Sequence, residues 1–85
     1  MHDNVERSRF ELPVGDAVVY ADYRRQDREL AILYVYAPPA VRGTGVAGRL
    51  MADVAAHARA EGLTVRPLCG SARGWLRRHG SDLLG

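Results

Sequence analysis

The stretch from Glu29 to Tyr36 is almost wholly apolar, two prolines follow it at Pro38 and Pro39, and a glycine-rich segment then leads into a long amphipathic run. This order restricts the available folds more than any other feature. Glu29 to Tyr36 predicts a strand, a central one covered on both faces. Neither proline can donate to a sheet ladder, so the strand stops there. Beyond the glycines, Val46, Leu50, Val54 and Ala58 recur every four residues, with Ala47, Met51 and Ala55 widening the stripe. Arg49, Asp53, His57 and Glu61 share another face. The spacing predicts a helix over 45–61, with Gly62 beyond its C-terminus. A short strand over 63–67 completes a βαβ unit, whose strands run parallel with a right-handed crossover.

Upstream, residues 8–14 and 17–24 read as two further strands, separated by the turn signal Pro13-Val14-Gly15-Asp16. The polar stretch Arg25 to Arg28 is the next turn, so the first three strands are antiparallel. Downstream, Ser71 is placed to cap a short helix over 71–79, with Trp75 and Leu76 facing inward. Gly74 weakens that helix by about 1 kcal/mol relative to alanine. The expected architecture is α/β (α+β): three antiparallel strands, the main helix, a parallel strand and a short terminal helix. An 85-residue chain that is 47% hydrophobic reads as one globular domain, 1–85. A domain near this size buries only about 60–65% of the surface its unfolded chain exposes, so a ligand or a homodimer partner is a physically reasonable source of extra stability.

The only cysteine, Cys69, excludes an internal disulfide framework, and Cys and His residues are too few for a structural zinc site, so no metal is expected. No segment approaches the ~18 apolar residues of a membrane span, and a cytoplasmic location is the expectation. All twelve Lys or Arg residues are arginine. Arginine's planar fork suits phosphate, which points to a phosphorylated ligand or to nucleic acid. The arginines are scattered among acids, and a solvated mixed-charge surface explains most of them.

The segment Val41-Arg42-Gly43-Thr44-Gly45-Val46-Ala47-Gly48 lies between the apolar strand and the helix. Glycines let the backbone turn sharply and approach a ligand, and free amides then point out from the start of the helix. With the helix's partial positive charge they form an anion site, to which Arg42 adds a fork. A Walker loop requires lysine, which is absent. Gly43, Gly45 and Gly48 fit the bare GxGxxG pattern. That fingerprint, however, opens a domain and is followed by several βαβ units, for which Arg49 to Gly85 leaves no room.

The order Arg-x-x-Gly-x-Ala (Arg42, Gly45, Ala47) resembles the pyrophosphate-binding motif of the GNAT acetyltransferases. The resemblance extends to the antiparallel strands before it, the helix after it and a strand that splays from its neighbour. It implies acetyl-CoA as the cofactor, its pyrophosphate on Arg42, Gly43, Thr44, Gly45, Val46, Ala47 and Gly48. Its pantetheine arm would then lie along the backbone of Leu33, Tyr34, Val35 and Tyr36. The segment Val65-Arg66-Pro67-Leu68-Cys69 is similar to the Val-x-Pro-x-Cys ending of a compact single-domain GNAT subfamily, in which the cysteine lies near the thioester. That implies Cys69 as the catalytic candidate. Its place before a helix is consistent, since a helix N-terminus favours a thiolate; a lone cysteine also commonly just packs.

The chain departs from these relatives in two places. Tyr34-Val35-Tyr36-Ala37 stands where a His-Thr-Glu-Val-like run is usual, which removes both titratable groups, and Ser71 stands where an aromatic residue commonly follows the cysteine. His57 reads as a solvated partner on the helix's polar face, His79 as a helix-end cation and Trp75 as core. Longer GNAT domains carry helices between their first two strands; here only the turn Pro13 to Asp16 occupies that place. The implied function is acetyl transfer to an amine on an open site, which suits a peptide or protein acceptor better than an enclosed small molecule. A non-catalytic acyl-CoA-binding or regulatory module is the alternative. Nucleic-acid binding through Arg24, Arg25, Arg28, Arg77 and Arg78 has no recognisable motif behind it.

Overall fold

A computed structural model describes residues 1–85. Five strands, β1 (His2–Asn4), β2 (Arg9–Val14), β3 (Ala17–Gln26), β4 (Glu29–Tyr36) and β5 (Thr64–Pro67), form one sheet in chain order. The first four are antiparallel neighbours and β5 runs parallel to β4. Between β4 and β5 the chain crosses over through α1 (Val46–Glu61), and α2 (Gly70–His79) follows β5. The hairpin between β2 and β3 turns at Gly15 and Asp16, with Gly15 at φ +60°, the conformation a tight two-residue hairpin needs.

The amphipathic stripe of α1 does what its spacing predicts. Val46, Leu50, Met51, Val54, Ala55 and Ala58 are all buried. They meet Phe10, Leu12, Val19, Ala21, Leu30, Ile32 and Val65 from the sheet, and Ala72 and Leu76 from α2. Gly62 ends the helix at φ +69°, its N–H reaching the carbonyls of Ala58 and Arg59. Both helices share this one core, α1 over β2 and β3 and α2 over β4 and β5. The Cα extents of 34 × 29 × 20 Å leave room for a single helical layer.

β4 is therefore covered on one face only, not on both. The opposite face carries Tyr20, Tyr34 and Tyr36 as a cluster with ring centroids 5.2 to 6.5 Å apart. Tyr34 is half exposed there, and the Arg9 guanidinium lies 3.8 Å from the centre of the Tyr20 ring while its Nε donates to Asp22 at 2.7 Å. The tyrosines' bulk, not burial on two sides, accounts for the apolar look of the strand.

The N-terminus is not a polar tail. His2 to Asn4 pair with Arg9 to Glu11, and a 3-10 turn (Val5–Arg7) links them. Two tertiary contacts fix this strand: the Tyr23 hydroxyl donates to Asp3 Oδ1 at 2.7 Å, and the terminal amine lies 3.7 Å from Asp53. Tyr23 also stacks on Phe10 at 4.3 Å. Burial first, then its bond to Asp3, push the Tyr23 phenol up to about 12. With β1 present, the shortened link between the first two strands is Val5 to Arg7, not Pro13 to Asp16.

Candidate functional site

Two irregularities in the sheet meet at Leu33. Asp22 pairs with Tyr34 and Tyr23 with Ile32, so Leu33 has no partner in β3 and forms a bulge. Without it Ile32 and Val35, three residues apart, would face opposite sides; with it both face the core. On the other edge of β4, pairing with β5 ends at Ile32 opposite Pro67, with a last bond from Leu68 N–H to the Ile32 carbonyl at 2.8 Å. Thr64 and Leu68 donate toward β4, so Pro67 turns its nitrogen to the open edge, where no ladder bond is required of it. From Leu33 to Tyr36 the edge of β4 that faced β5 has no strand partner.

That gap opens directly onto the glycine loop. After a 3-10 turn (Pro39–Val41), Gly43 and Gly45 adopt φ +79° and +83°. Such angles suit glycine, and they reverse the chain into α1. The Arg42 Nε donates to the Ala37 carbonyl at 2.7 Å, which ties the loop to the end of β4 and leaves the guanidinium's terminal nitrogens free. Its carbon sits 5.7 Å from the Tyr36 ring centre. Thr44 points back instead, its hydroxyl donating to the Val41 carbonyl. Gly45 serves as N-cap without a side chain, and the first turn of α1 holds no acid. The first intrahelical bond runs from Arg49 N–H to the Gly45 carbonyl, so the amides of Val46, Ala47 and Gly48 are unsatisfied within the helix. Free amides, a helix dipole and an arginine fork make an anion cradle.

A cavity of about 410 Å³ joins these parts, lined by Tyr34, Val35 and Tyr36 from the strand, Arg42, Gly43, Gly45, Val46 and Ala47 from the loop, and Ala37, Val41 and Ser71. Of the residues expected at the site, Leu33, Thr44 and Gly48 lie beside this cavity without lining it. No carboxylate or imidazole is among its walls. Ser71 is an addition to the lining for which the sequence carries no signal, since its position predicts the cap of α2. The cap is Cys69, whose Sγ accepts from Ala72 N–H at 3.4 Å. Cys69 is half-buried against the core and is not a lining residue.

The remaining sequence candidates fall elsewhere. His57 is half-buried, edge-on to Phe10 with ring centroids 5.3 Å apart, and is not the solvated partner its spacing implied. His79 is exposed at the end of α2, 5.1 Å from the half-buried Trp75 ring. No group of three or more His, Cys, Asp or Glu side chains is placed to hold a metal, and no helix is long and apolar enough to cross a membrane.

A bulged β4, a strand that parts from it and an uncapped helix behind a glycine loop define an α+β protein whose sheet opens at a seam facing a set of free amides. Comparison with known families makes this specific. Residues 9–83 match the family model described as GCN5-related N-acetyl-transferase, and the chain belongs to that family. No curated protein matched the chain. Membership implies acyl-transfer chemistry.

Proposed function

We propose that this protein binds acetyl-CoA and transfers its acetyl group to an amine. The observation that carries the reading is the shared cavity, which sets the unpaired edge of β4 beside the free amides of the glycine loop. The pyrophosphate would lie on the amides of Val46, Ala47 and Gly48 and on the free nitrogens of Arg42. The amides of the pantetheine arm would pair with β4 between Leu33 and Tyr36, as a strand would. A free N–H on that edge then stabilises the oxyanion that forms when the amine nitrogen bonds to the thioester carbon. The C–S bond breaks, CoA leaves as thiolate, and the nitrogen's proton passes to water.

With no carboxylate or imidazole on the cavity wall, the acceptor must arrive neutral, so the rate rises with pH up to the acceptor's own pKa. The helix-free face beside Tyr34 is open, which suits an amine on a peptide or protein. The test is CoA release across a panel of amines and amine-bearing peptides, alongside amide NMR during an acetyl-CoA titration. Shifts at Gly43 to Gly48 and at Leu33 to Tyr36 are expected; unchanged loop amides at saturation would overturn the cofactor site. The same lack of a base favours a second reading, a CoA-binding module without turnover, identified by saturable binding with no CoA release. Cys69 offers a third route, through an acetyl-thioenzyme. Its proximity to the reacting carbon is tested by labelled acetyl-CoA without acceptor: an unlabelled Cys69 removes the covalent route.

A further inference from the structure

β3 runs on past the end of β4. The last pair sets Tyr36 opposite Tyr20, yet β3 begins at Ala17. In the two-residue hairpin Val14 and Ala17 exchange ladder bonds, so the next pair, Pro13 and Val18, exchanges none. Val18 therefore turns its N–H and C=O toward the β4 side. The continued register would set Pro38 there, which has no N–H, and the chain leaves through the turn Pro39–Val41. No turn or loop bond reaches Val18. Its two backbone groups face a cavity of about 520 Å³, walled by Val14, Ala17 and Val18 from the hairpin and by Pro38, Ala40 and Val41 from the turn, with Asp16 the one charged residue.

This groove joins the tyrosine face to the cofactor cavity. Val41 lines both cavities. Val18, 42% exposed, shares the open side of β3 with Tyr20. From Val18 to Asp22, the partner of Tyr34, is four residues of strand, about 13 Å. An uncharged path thus leads from the groove over Tyr20 and Tyr36 to the half-exposed Tyr34. Beside it Arg9 is already paired with Asp22, and Glu11 accepts from Asn4 Nδ2 at 3.4 Å. Apolar wall and one unpaired set of amide groups are what an extended peptide with a bulky apolar side chain satisfies. The cavity wall without a base selects the amine: near pH 7.5 roughly a third of an N-terminal α-amine is neutral, against about a thousandth of a lysine side chain.

We infer that this groove docks the acceptor, a peptide or protein N-terminus with a bulky apolar residue about four positions after its α-amine. The inference rests on the acetyl-transfer reading above and deepens it by naming the acceptor. The peptide backbone pairs with Val18, the apolar side chain enters the groove between Val18 and Ala40, and the residues before it cross Tyr20 and Tyr36 and bring the amine to Tyr34.

The experiment uses lysine-free octapeptides of glycine and serine with a free N-terminus and one leucine at the third, fifth or eighth position. CoA release is followed, together with amide NMR of the protein without cofactor. Leucine at the fifth position should raise kcat/KM about tenfold over the other two, the size of one buried leucine, and shift the Val18 and Ala40 amides. Val18→Asp and Ala40→Asp, on opposite exposed walls, should each remove that preference through KM and leave acetyl-CoA affinity intact; Val5→Asp, exposed and outside the groove, should keep it. Equal rates for the three peptides, or no peptide-dependent shift at Val18, would overturn the inference. Faster turnover of an N-acetylated peptide carrying lysine would overturn it too, and shifts at Val18 that follow protein concentration alone would give the groove to a second copy. If acetyl-CoA itself does not bind, the transfer reading falls, and the Val18 shift with the fifth-position peptide still decides the groove.

Discussion

Replacing Arg42 by alanine separates two roles of one side chain, a loop contact seen in the structure and the phosphate contact proposed above. Its Nε holds the Ala37 carbonyl at 2.7 Å, and its terminal nitrogens, free of protein partners, belong to the same cavity wall as Val46 and Ala47. The first role is structural and exposed. Its loss should cost no more than about 1 kcal/mol, a melting shift of roughly 4–8 °C or less for a domain of this size. The second role is a charge-assisted contact to pyrophosphate, worth about 1.5–3 kcal/mol, which is roughly a 10- to 100-fold loss in affinity for acetyl-CoA. Ligand binding should therefore suffer far more than folding.

Titration calorimetry at several salt concentrations reads the second role, since losing one cation also flattens the salt dependence of binding. S-acetylpantetheine, which lacks the pyrophosphate, supplies the control. If Arg42 acts through phosphate, its binding is unchanged in Arg42→Ala. Arg42→Lys should recover part of the acetyl-CoA affinity, as a point charge without the fork. Acetyl-CoA affinity within twofold of the unaltered protein would refute the phosphate contact. An equal loss on both ligands would show that the residue matters only through the position of the loop.

Three further outcomes are expected. Gly45→Ala should destabilise by about 1–2 kcal/mol in denaturant titration, although no atom lies within 4 Å of the added Cβ, because φ +83° strains any L-side chain. Tyr23 stays protonated in the fold up to about 12, whereas in the unfolded chain it ionises near pH 10. Its neutral form thus contributes stability that is complete below about pH 10 and is lost as the pH rises toward 12; melts of Tyr23→Phe should lack up to about 2 kcal/mol of that alkaline decline. Cys69→Ser should keep the cap on α2 and hold its melting temperature, while Cys69→Ala loses about 1 kcal/mol; direct transfer predicts CoA release from both, and an acetyl-thioenzyme predicts release from neither.

What the sequence disclosed and what it withheld follow from the range of the interactions involved. The helix from Val46 to Glu61 was legible because its apolar period and the glycine beyond it are local. The strand at Glu29 to Tyr36 and the loop placed after it were legible for the same reason, as a run, a pair of prolines and a set of glycines. β1 was not, since His2-Asp3-Asn4 has no strand-like composition and is held by Tyr23 from across the sheet. The uncovered face was hidden because tyrosines read as apolar whether buried or half exposed. The bulge left one trace: two inward residues, Ile32 and Val35, at an odd spacing within a single strand. Cys69 rather than Ser71 caps α2 because a thiol can also accept from a first-turn amide, whereas serine is the stronger expectation at such a position.

Several features of the site lower the stability of a domain that has little core to spare. α1 starts without a side-chain cap, which forgoes about 1 kcal/mol. Glycines at 43, 45 and 48 cost conformational entropy, and the seam between β4 and β5 leaves ladder groups unpaired. All of these deficits lie on the walls of one continuous groove, and an extended anion with amide groups would compensate each of them: phosphate for the uncapped amides, pantetheine for the missing strand. A ligand at a hundred times its Kd adds about 2.7 kcal/mol to the folded state, comparable to the cost of these features. The groove is thus the part of the fold where the sheet and helices leave backbone groups unpaired, which is the physical ground for the proposed ligand.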